Sequence, residues 1–490
     1  MYNIYNMSSQ LPEILKVQTL PTISNMEIKT EVLDPITSST SEIVFQIPKN
    51  GILDGGSFVS LAVTTASGVS DAFFPLQTGI HGLVKSAFLM SGSKVIASTE
   101  DYGHYATMLR QFETPEHRAY VEQVKSGNSM DRFTSIDNAT GRIMPKDLQY
   151  NTFANDDSAR AVVPSFIKPT DSDATTPVFS VPLSQLIPFM RSRQLPLFAM
   201  KENVFLRLIL NTQVGKTDGK ICCFTEGSGS SGVITPSFTN IKFYSDHLYY
   251  KDGSMEATQK AIFSDNGLSY IYEDSVLTTH QLPAVTDPAS PAITEQKIER
   301  DIAVSGKVVR SILISEKPTN DSHTLLGQYY SEADTTDREY NFRINEQRYY
   351  DRDIKTPSMK YNELSKVMSK PLQVPQQLYS LDADTNKANA DNTLNQNSVY
   401  IGQIEAYQLP NATNTSRLND IRGHSHYTGV DLTTTGFNVL GNGKRIGVKP
   451  IVYQCTEKRT EGKQGAREIR FYSNVERVIT IKNGDVQVSA

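Results

Sequence analysis

Three groups of residues in this sequence have types and spacings that could carry chemistry. Glu100, Asp101 and His104 bring two carboxylates and an imidazole together within five positions, a set suited to proton transfer if one pKa is moved towards neutrality. The same stretch predicts a helix start, where acidic side chains favour the positive end of the helix dipole. That explanation suffices for both carboxylates. His424 and His426, in GHSHYTG, are spaced compatibly with one metal ion, but no third ligand falls beside them. A solvated loop pair is the expectation there. Gly227 to Gly232 form a Gly/Ser tract that lacks the Gly-Lys-Ser/Thr ending of a phosphate cradle, so it reads as a hairpin loop. Asn138, Asn320, Asn411 and Asn414 open glycosylation sequons, which without a secretory leader are incidental. No carboxylate pair of the kind a glycosidase needs stands out from the 53 acidic residues. No catalytic, cofactor-binding or metal-binding residue is assigned.

Composition narrows the classes further. The 490 residues carry 48 basic and 53 acidic side chains, without a block of five like charges. There is no polybasic arm to neutralise phosphates, so sequence-specific nucleic-acid binding is not expected. Cys222, Cys223 and Cys455 match neither a disulfide framework nor a zinc spacing. The 23 tyrosines without a single tryptophan reflect sheet propensity and not a base-stacking motif. The N-terminal residues lack a basic head and apolar core, and no run of about 18 apolar residues exists. A chain made in a reducing cytoplasm or nucleus, with no transmembrane segment, is expected.

The elements that would position these residues are mostly strands. SEIVFQI (41–47), SFVSLAVTT (57–65), GLVKSAFLM (82–90), KVIAS (94–98), PVFSVPL (177–183) and NIKFYS (240–245) alternate and are separated by turn signals. The second half follows with KVVRSILIS (307–315), REYNFRIN (338–345), NSVYIGQIEAYQL (397–409), KRIGVKPIVYQC (444–455), REIRFYS (467–473) and VITIK (478–482). Helical patterns are few, at 99–112, 115–125 and 360–368. Polar stretches at 126–162, 381–398 and 410–443 read as surface loops crowning one end. Many strands with few helices predict an all-β sandwich or barrel class.

The sequence also repeats itself. NIKFYSD (240–246) answers EIRFYSN (468–474), and the hairpin-plus-helix pattern of 84–109 answers that of 338–368, with Phe88 and Phe342 in comparable places. Both pairs run in the same order, one per half, which predicts a duplicated unit. The expected organisation is an arm over 1–25, a first unit over 26–250, a connecting segment over 251–294 and a second unit over 295–490.

Three stretches carry a resemblance to a known family. SAFLMSGSKVIAS followed by EDYGHY, VPLSQL followed by IPFMRSRQLPLFAM (187–200), and NFRINEQRYYDRDIKTPSMKYNELS (341–365) are similar to segments of the double jelly-roll major capsid proteins of eukaryotic double-stranded DNA viruses. That group includes nucleocytoplasmic large DNA viruses, virophages and polinton-like viruses. The turn here is Ser-Gly-Ser where the family has a Gly-Gly type. The resemblance covers about residues 40 to 490. It implies two tandem eight-stranded jelly rolls with a few short helices and long crown loops. It also implies a non-enzymatic subunit that forms a homotrimer, a pseudo-hexameric capsomer tiling an icosahedral virion shell. Neighbouring capsomers and minor capsid or penton proteins would be its partners. Two other readings compete with this one: a glycan-binding or carbohydrate-active β-sandwich, and a minor vertex or receptor-binding virion protein.

Within 187–210, Pro188 and Pro196 interrupt an apolar run before the strict alternation of Val204 to Leu210. Prolines are tolerated at strand starts and edges. Arg191 and Arg193 are expected to flank a bend and to bond loop carbonyls or a neighbouring subunit.

Overall fold

The computed structural model describes residues 26–65, 72–73, 79–110, 123–126, 133–137, 142–145, 166–167, 178–211, 224–225, 236–250, 253–282, 285–286, 294–318, 337–367, 428–434, 441–459, 463–464 and 467–489. The histidines at 424 and 426, the Gly227–Gly232 tract, the four sequons, Cys222, Cys223, the 1–25 arm and the 397–409 strand candidate lie outside the described residues.

Eight principal strands form the first half: β1 Met26–Leu33, β2 Glu42–Ile47, β3 Phe58–Thr65, β4 Val84–Ser91, β5 Lys94–Glu100, β6 Val178–Pro182, β7 Val204–Leu210 and β8 Pro236–Tyr250. They make two antiparallel sheets in the orders β1-β8-β3-β6 and β2-β7-β4-β5. Eight more follow: β9 Leu268–Leu282, β10 Thr294–Ile302, β11 Val308–Pro318, β12 Asp337–Ile344, β13 Gln347–Arg348, β14 Thr428–Asp431, β15 Ile451–Arg459 and β16 Arg467–Lys482. Their orders are β9-β16-β11-β14 and β10-β15-β12-β13. Adding eight to every number in the first half reproduces the second half. Each half is a jelly roll, and the fold is all-β. A last strand, β17 Asp485–Ser489, pairs with β16. The longer helices are α1 Tyr102–Arg110, α2 Ser254–Ile262 and α3 Pro357–Val367.

Local chemistry explains these elements. In β7 the apolar alternation places Val204, Leu206, Leu208 and Leu210 inward and leaves Phe205, Arg207 and Ile209 half-buried. The β4–β5 hairpin turns on Gly92, whose φ of 56° is the left-handed value a type II′ turn asks of its first central residue. The matching β12–β13 hairpin turns on Asn345 and Glu346, both at positive φ, the type I′ solution. β8 carries a bulge between Thr239 and Lys242, with Asn240 at φ 51°.

The two matched motifs fall on counterpart strands. Phe243 of β8 and Phe471 of β16 are both fully buried, Ile241 and Ile469 are buried, and each strand lies second from the edge of its sheet. Several stretches differ from the sequence reading. Within 126–162, read as a surface loop, Phe133–Asp137 pairs with Arg142–Pro145. REIRFYS and VITIK are one 16-residue strand, β16. Part of the polar stretch 410–443 is β14, a buried strand whose Thr-Gly-Val-Asp composition gives no alternation signal. Within 251–294, read as a connecting segment, α2 spans 254–262, but β9 pairs with β16 along all of 268–282 and β10 begins at 294. β1 was not legible as a strand at all.

The prolines of 187–200 support a compact bend. One-turn helices occupy Leu183–Leu186 and Phe189–Ser192, and a 3-10 turn occupies Leu197–Ala199. Leu186, Ile187, Phe189, Leu195 and Leu197 are fully buried. The bend therefore plugs the end of the first roll before β7 begins. Its core does not stop at the first roll, because Tyr272, Ile479, Ile481 and Val486 from the second half belong to the same apolar cluster.

Candidate functional site at the seam between the rolls

The contact between the rolls is built from β5, α1 and the 187–201 bend on one side and from β9, β16 and β17 on the other. At its apolar end, Phe189 packs edge-on against Tyr272 with ring centroids 4.8 Å apart, a geometry worth about 0.5–1.5 kcal/mol beyond area burial. Tyr272 Oη donates to the Ile96 carbonyl at 2.6 Å, and Tyr270 Oη donates to the Gln194 carbonyl at 3.2 Å. Arg193 Nε donates to the Ile271 carbonyl at 2.9 Å, and Arg191 Nε to the Ser184 carbonyl at 2.9 Å. Both arginines thus bond backbone carbonyls, one of them across the seam. Below them Lys94 Nζ donates to the Val486 carbonyl at 3.1 Å, and the Lys201 amide donates to the Gly484 carbonyl at 2.9 Å.

The other end of the seam is polar. Asp101 stands just before α1 at φ 48°, and its carboxylate accepts from Arg470 Nη1 and, at 3.2 Å, from Tyr472 Oη. Arg470 Nε also donates to Glu468 at 2.6 Å. Burial opposes the Arg470 charge, but Asp101, Tyr472 and Glu468 together raise its pKa. Burial, reinforced by Asp101, pushes the Tyr472 hydroxyl well up, so it stays a donor. Tyr105 of α1 lies 5.5 Å from the Tyr472 ring and donates from Oη to Asn474 Oδ1 at 3.3 Å. Between the two ends, the Ser98 amide donates to Asp274 Oδ1 at 3.2 Å. Arg477 Nε stands 3.2 Å from Asp274 Oδ2. Burial pushes the Asp274 carboxyl up to about 6, against the lowering effects of Arg477 and of the Ser98 and Ser275 amides.

This arrangement adds to the dipole explanation for Asp101, which stands immediately before the first residue of α1. The first turn of α1 holds no acidic residue, and the carboxylate is spent on Arg470 and Tyr472 of the other roll. A carboxylate clamped by a guanidinium and a phenol ties the two rolls together. Glu100 is exposed at the end of β5, whereas His104 is buried in α1. Sequence reasoning did not single out Arg470, Asn474, Tyr270, Tyr272 or Asp274. The available signal was the duplicated motif, whose alternate members 470, 472 and 474 point outward from β16 to the seam.

An open cleft of about 630 Å³ lies beside the seam, lined by Asp54, Gly55, Gly56, Ser184, Arg191 and Arg193 among others. Its single carboxylate, Asp54, accepts from the Gly56 amide at 2.9 Å and from Gln194 Nε2 at 3.0 Å. The lining residues include no aromatic platform and no second acid. Among the described residues no group of three or more His, Cys, Asp or Glu could hold a metal ion, and no helix is long and apolar enough to cross a membrane.

No family model and no curated protein matches the sequence. Solved structures do. The crystal structure of PBCV-1 VP54, fitted into a reconstruction of the virophage Sputnik, is 11% identical with a TM-score of 0.53, over 96% of this chain and 98% of that one. A chain of the PBCV-1 virus capsid is 13% identical with a TM-score of 0.52, over 96% and 98%. A chain of the Sputnik virophage is 12% identical with a TM-score of 0.52, over 98% and 92%. These likenesses run over most of both chains and agree with the strand orders above: the fold is a double jelly roll.

Proposed function

We propose that this chain is the major capsid protein of an icosahedral double-stranded DNA virus, a structural subunit and not an enzyme. The observation that carries the reading is the pairing of two rolls of identical strand order, fixed to each other by a seam with a shared core. A rigid block with two similar walls needs only three copies to present six similar edges. Head-to-tail contacts of this kind generate a ring when the rotation closes. The likeness to chains of virus capsids supports the same reading. In this assignment the first roll runs over 26–250 and the second begins with β9 at Leu268, with α2 between them. The partners are two further copies in a homotrimer, neighbouring capsomers and minor capsid or penton proteins, and the location is the virion. Synthesis and assembly belong to the host cytoplasm or nucleus.

Light scattering on the purified chain tests the reading. The expected mass is about three times 54.5 kDa. A species of 54.5 kDa that persists at micromolar concentration contradicts it.

A further inference from the structure

The seam inside the chain uses a surface that the first roll also possesses but leaves open. Sheet register defines the correspondence. In the second roll Tyr472 of β16 is flanked by Leu277 of β9 and Leu313 of β11. In the first roll Tyr244 of β8 is flanked by Val32 of β1 and Phe58 of β3. The matched motifs KFYSD and RFYSN extend the match along the strand: Lys242, Tyr244 and Asp246 stand where Arg470, Tyr472 and Asn474 stand. The inward members, Ile, Phe and Ser, build each roll's own interior. The outward members keep the same order of cation, tyrosine and short polar side chain.

The two faces differ in what covers them. Tyr105 and Met108 of α1 and Leu364 of α3 pack on Leu313 and Tyr472. Tyr472 and Leu313 are each 1% exposed, and the Arg470 side chain is 10% exposed. Val32, by contrast, is 54% exposed, and the Lys242 side chain is 41% exposed. Tyr244 and Phe58 are half-buried and stack on each other at 4.6 Å. Among the described residues Lys242 has only Asp34, itself largely exposed, as its acid. β1 is also a sheet edge and carries Met26 and Ile28 exposed beside Val32. An apolar edge of this kind invites pairing unless something covers it.

We infer that the outward face of β1, β8 and β3, centred on Val32, Lys242, Tyr244 and Phe58, is the docking site for the second roll of another copy of this chain. That copy repeats between molecules the contact that the first roll makes on Arg470 and Tyr472 within one. In the seam the contacting stretch follows strand β5 and offers Asp101, then Tyr105 and Met108. The stretch that follows β13 in the second roll offers an acid and an apolar side chain at similar spacing, Asp351 and Met359, both exposed. Asp351 is therefore assigned to Lys242 of the next copy, as Asp101 is to Arg470. This rests on the capsomer reading and names the surfaces that close it.

Light scattering on the full chain tests it with three variants. Val32→Arg changes an exposed side chain and so leaves the monomer folded, but places a charge in the contact. Lys242→Glu opposes Asp351 directly. The expected result is a fall from trimer to monomer mass in both, with unchanged circular dichroism. Trimer is restored in the double variant Lys242→Glu/Asp351→Lys. Trimers of V32R and K242E that dilute like wild type overturn the docking site and leave the capsomer reading standing. A monomeric wild type overturns the reading itself.

Discussion

Asp101 and Asp274 sit in the same seam and are held in opposite ways. Asp101 is satisfied by two donors, so its removal leaves the Arg470 guanidinium, nearly buried, with Glu468 as its one remaining acid among the described residues. Asp101→Ala is expected to lower stability by about 3 kcal/mol, the lower end for a buried pair broken on one side, read as a drop in the urea midpoint at unchanged slope. Asp274 is only 1% exposed, and burial raises its pKa to about 6. The native state therefore binds this proton more tightly than the unfolded chain, whose carboxyl titrates near pH 3.9. The resulting stabilisation is complete below about pH 4 and is lost as pH rises through 6. Relative to Asp274→Asn, the wild type should lose about 2 kcal/mol between pH 4 and pH 7. Parallel stability profiles for the two proteins would show that Asp274 does not titrate this way. Tyr272 and Phe189 complete the apolar end, and neither was foreseeable from residue type alone because their partners are more than 80 positions away.

The β16–β17 hairpin shows how a short element fixes the two rolls together. Asn483 and Gly484 both have positive φ, the type I′ pair. A side chain on Gly484 would meet the Lys201 amide at 2.9 Å and the Ala199 carbonyl at 3.1 Å, where the 187–201 bend docks. Gly484→Ala combines this clash with an unfavourable backbone and should cost about 1–3 kcal/mol, seen as a lower melting temperature. The element scale also shows what was legible in the sequence. Strands with one buried face and regular alternation, such as β2, β4 and β7, were readable, as was the duplication that aligned β8 with β16. β1, β9 and β10 were not, and all three are sheet edges. β10 has just Ile298 and Ile302 as buried apolar residues, among Glu295, Lys297, Glu299 and Asp301. Edge strands need little apolar content, and their charges discourage stray pairing. Such strands look like loops until their partners are known. The seam was half legible for a related reason: RFYSN was recognised as a repeat, but which alternate residues face outward depends on register, which sequence does not reveal.

At the scale of the whole molecule the two rolls behave as one body. Tyr272, Ile479, Ile481 and Val486 lie in the first roll's core, so neither roll can lose its structure without exposing apolar surface of the other. Calorimetry is expected to show one cooperative transition for the described body. Two well-separated transitions would mean that the seam does not couple the rolls. The same rigidity suits the proposed role in a shell, because angular freedom between two walls would blur the edges that neighbours must match. Whether three identical chains present six similar walls is decided by particle averages of the purified protein in the electron microscope. The expected result is three-fold averages with a near-hexagonal outline and six lobes of similar size. Averages showing isolated two-lobed particles at all concentrations would contradict it.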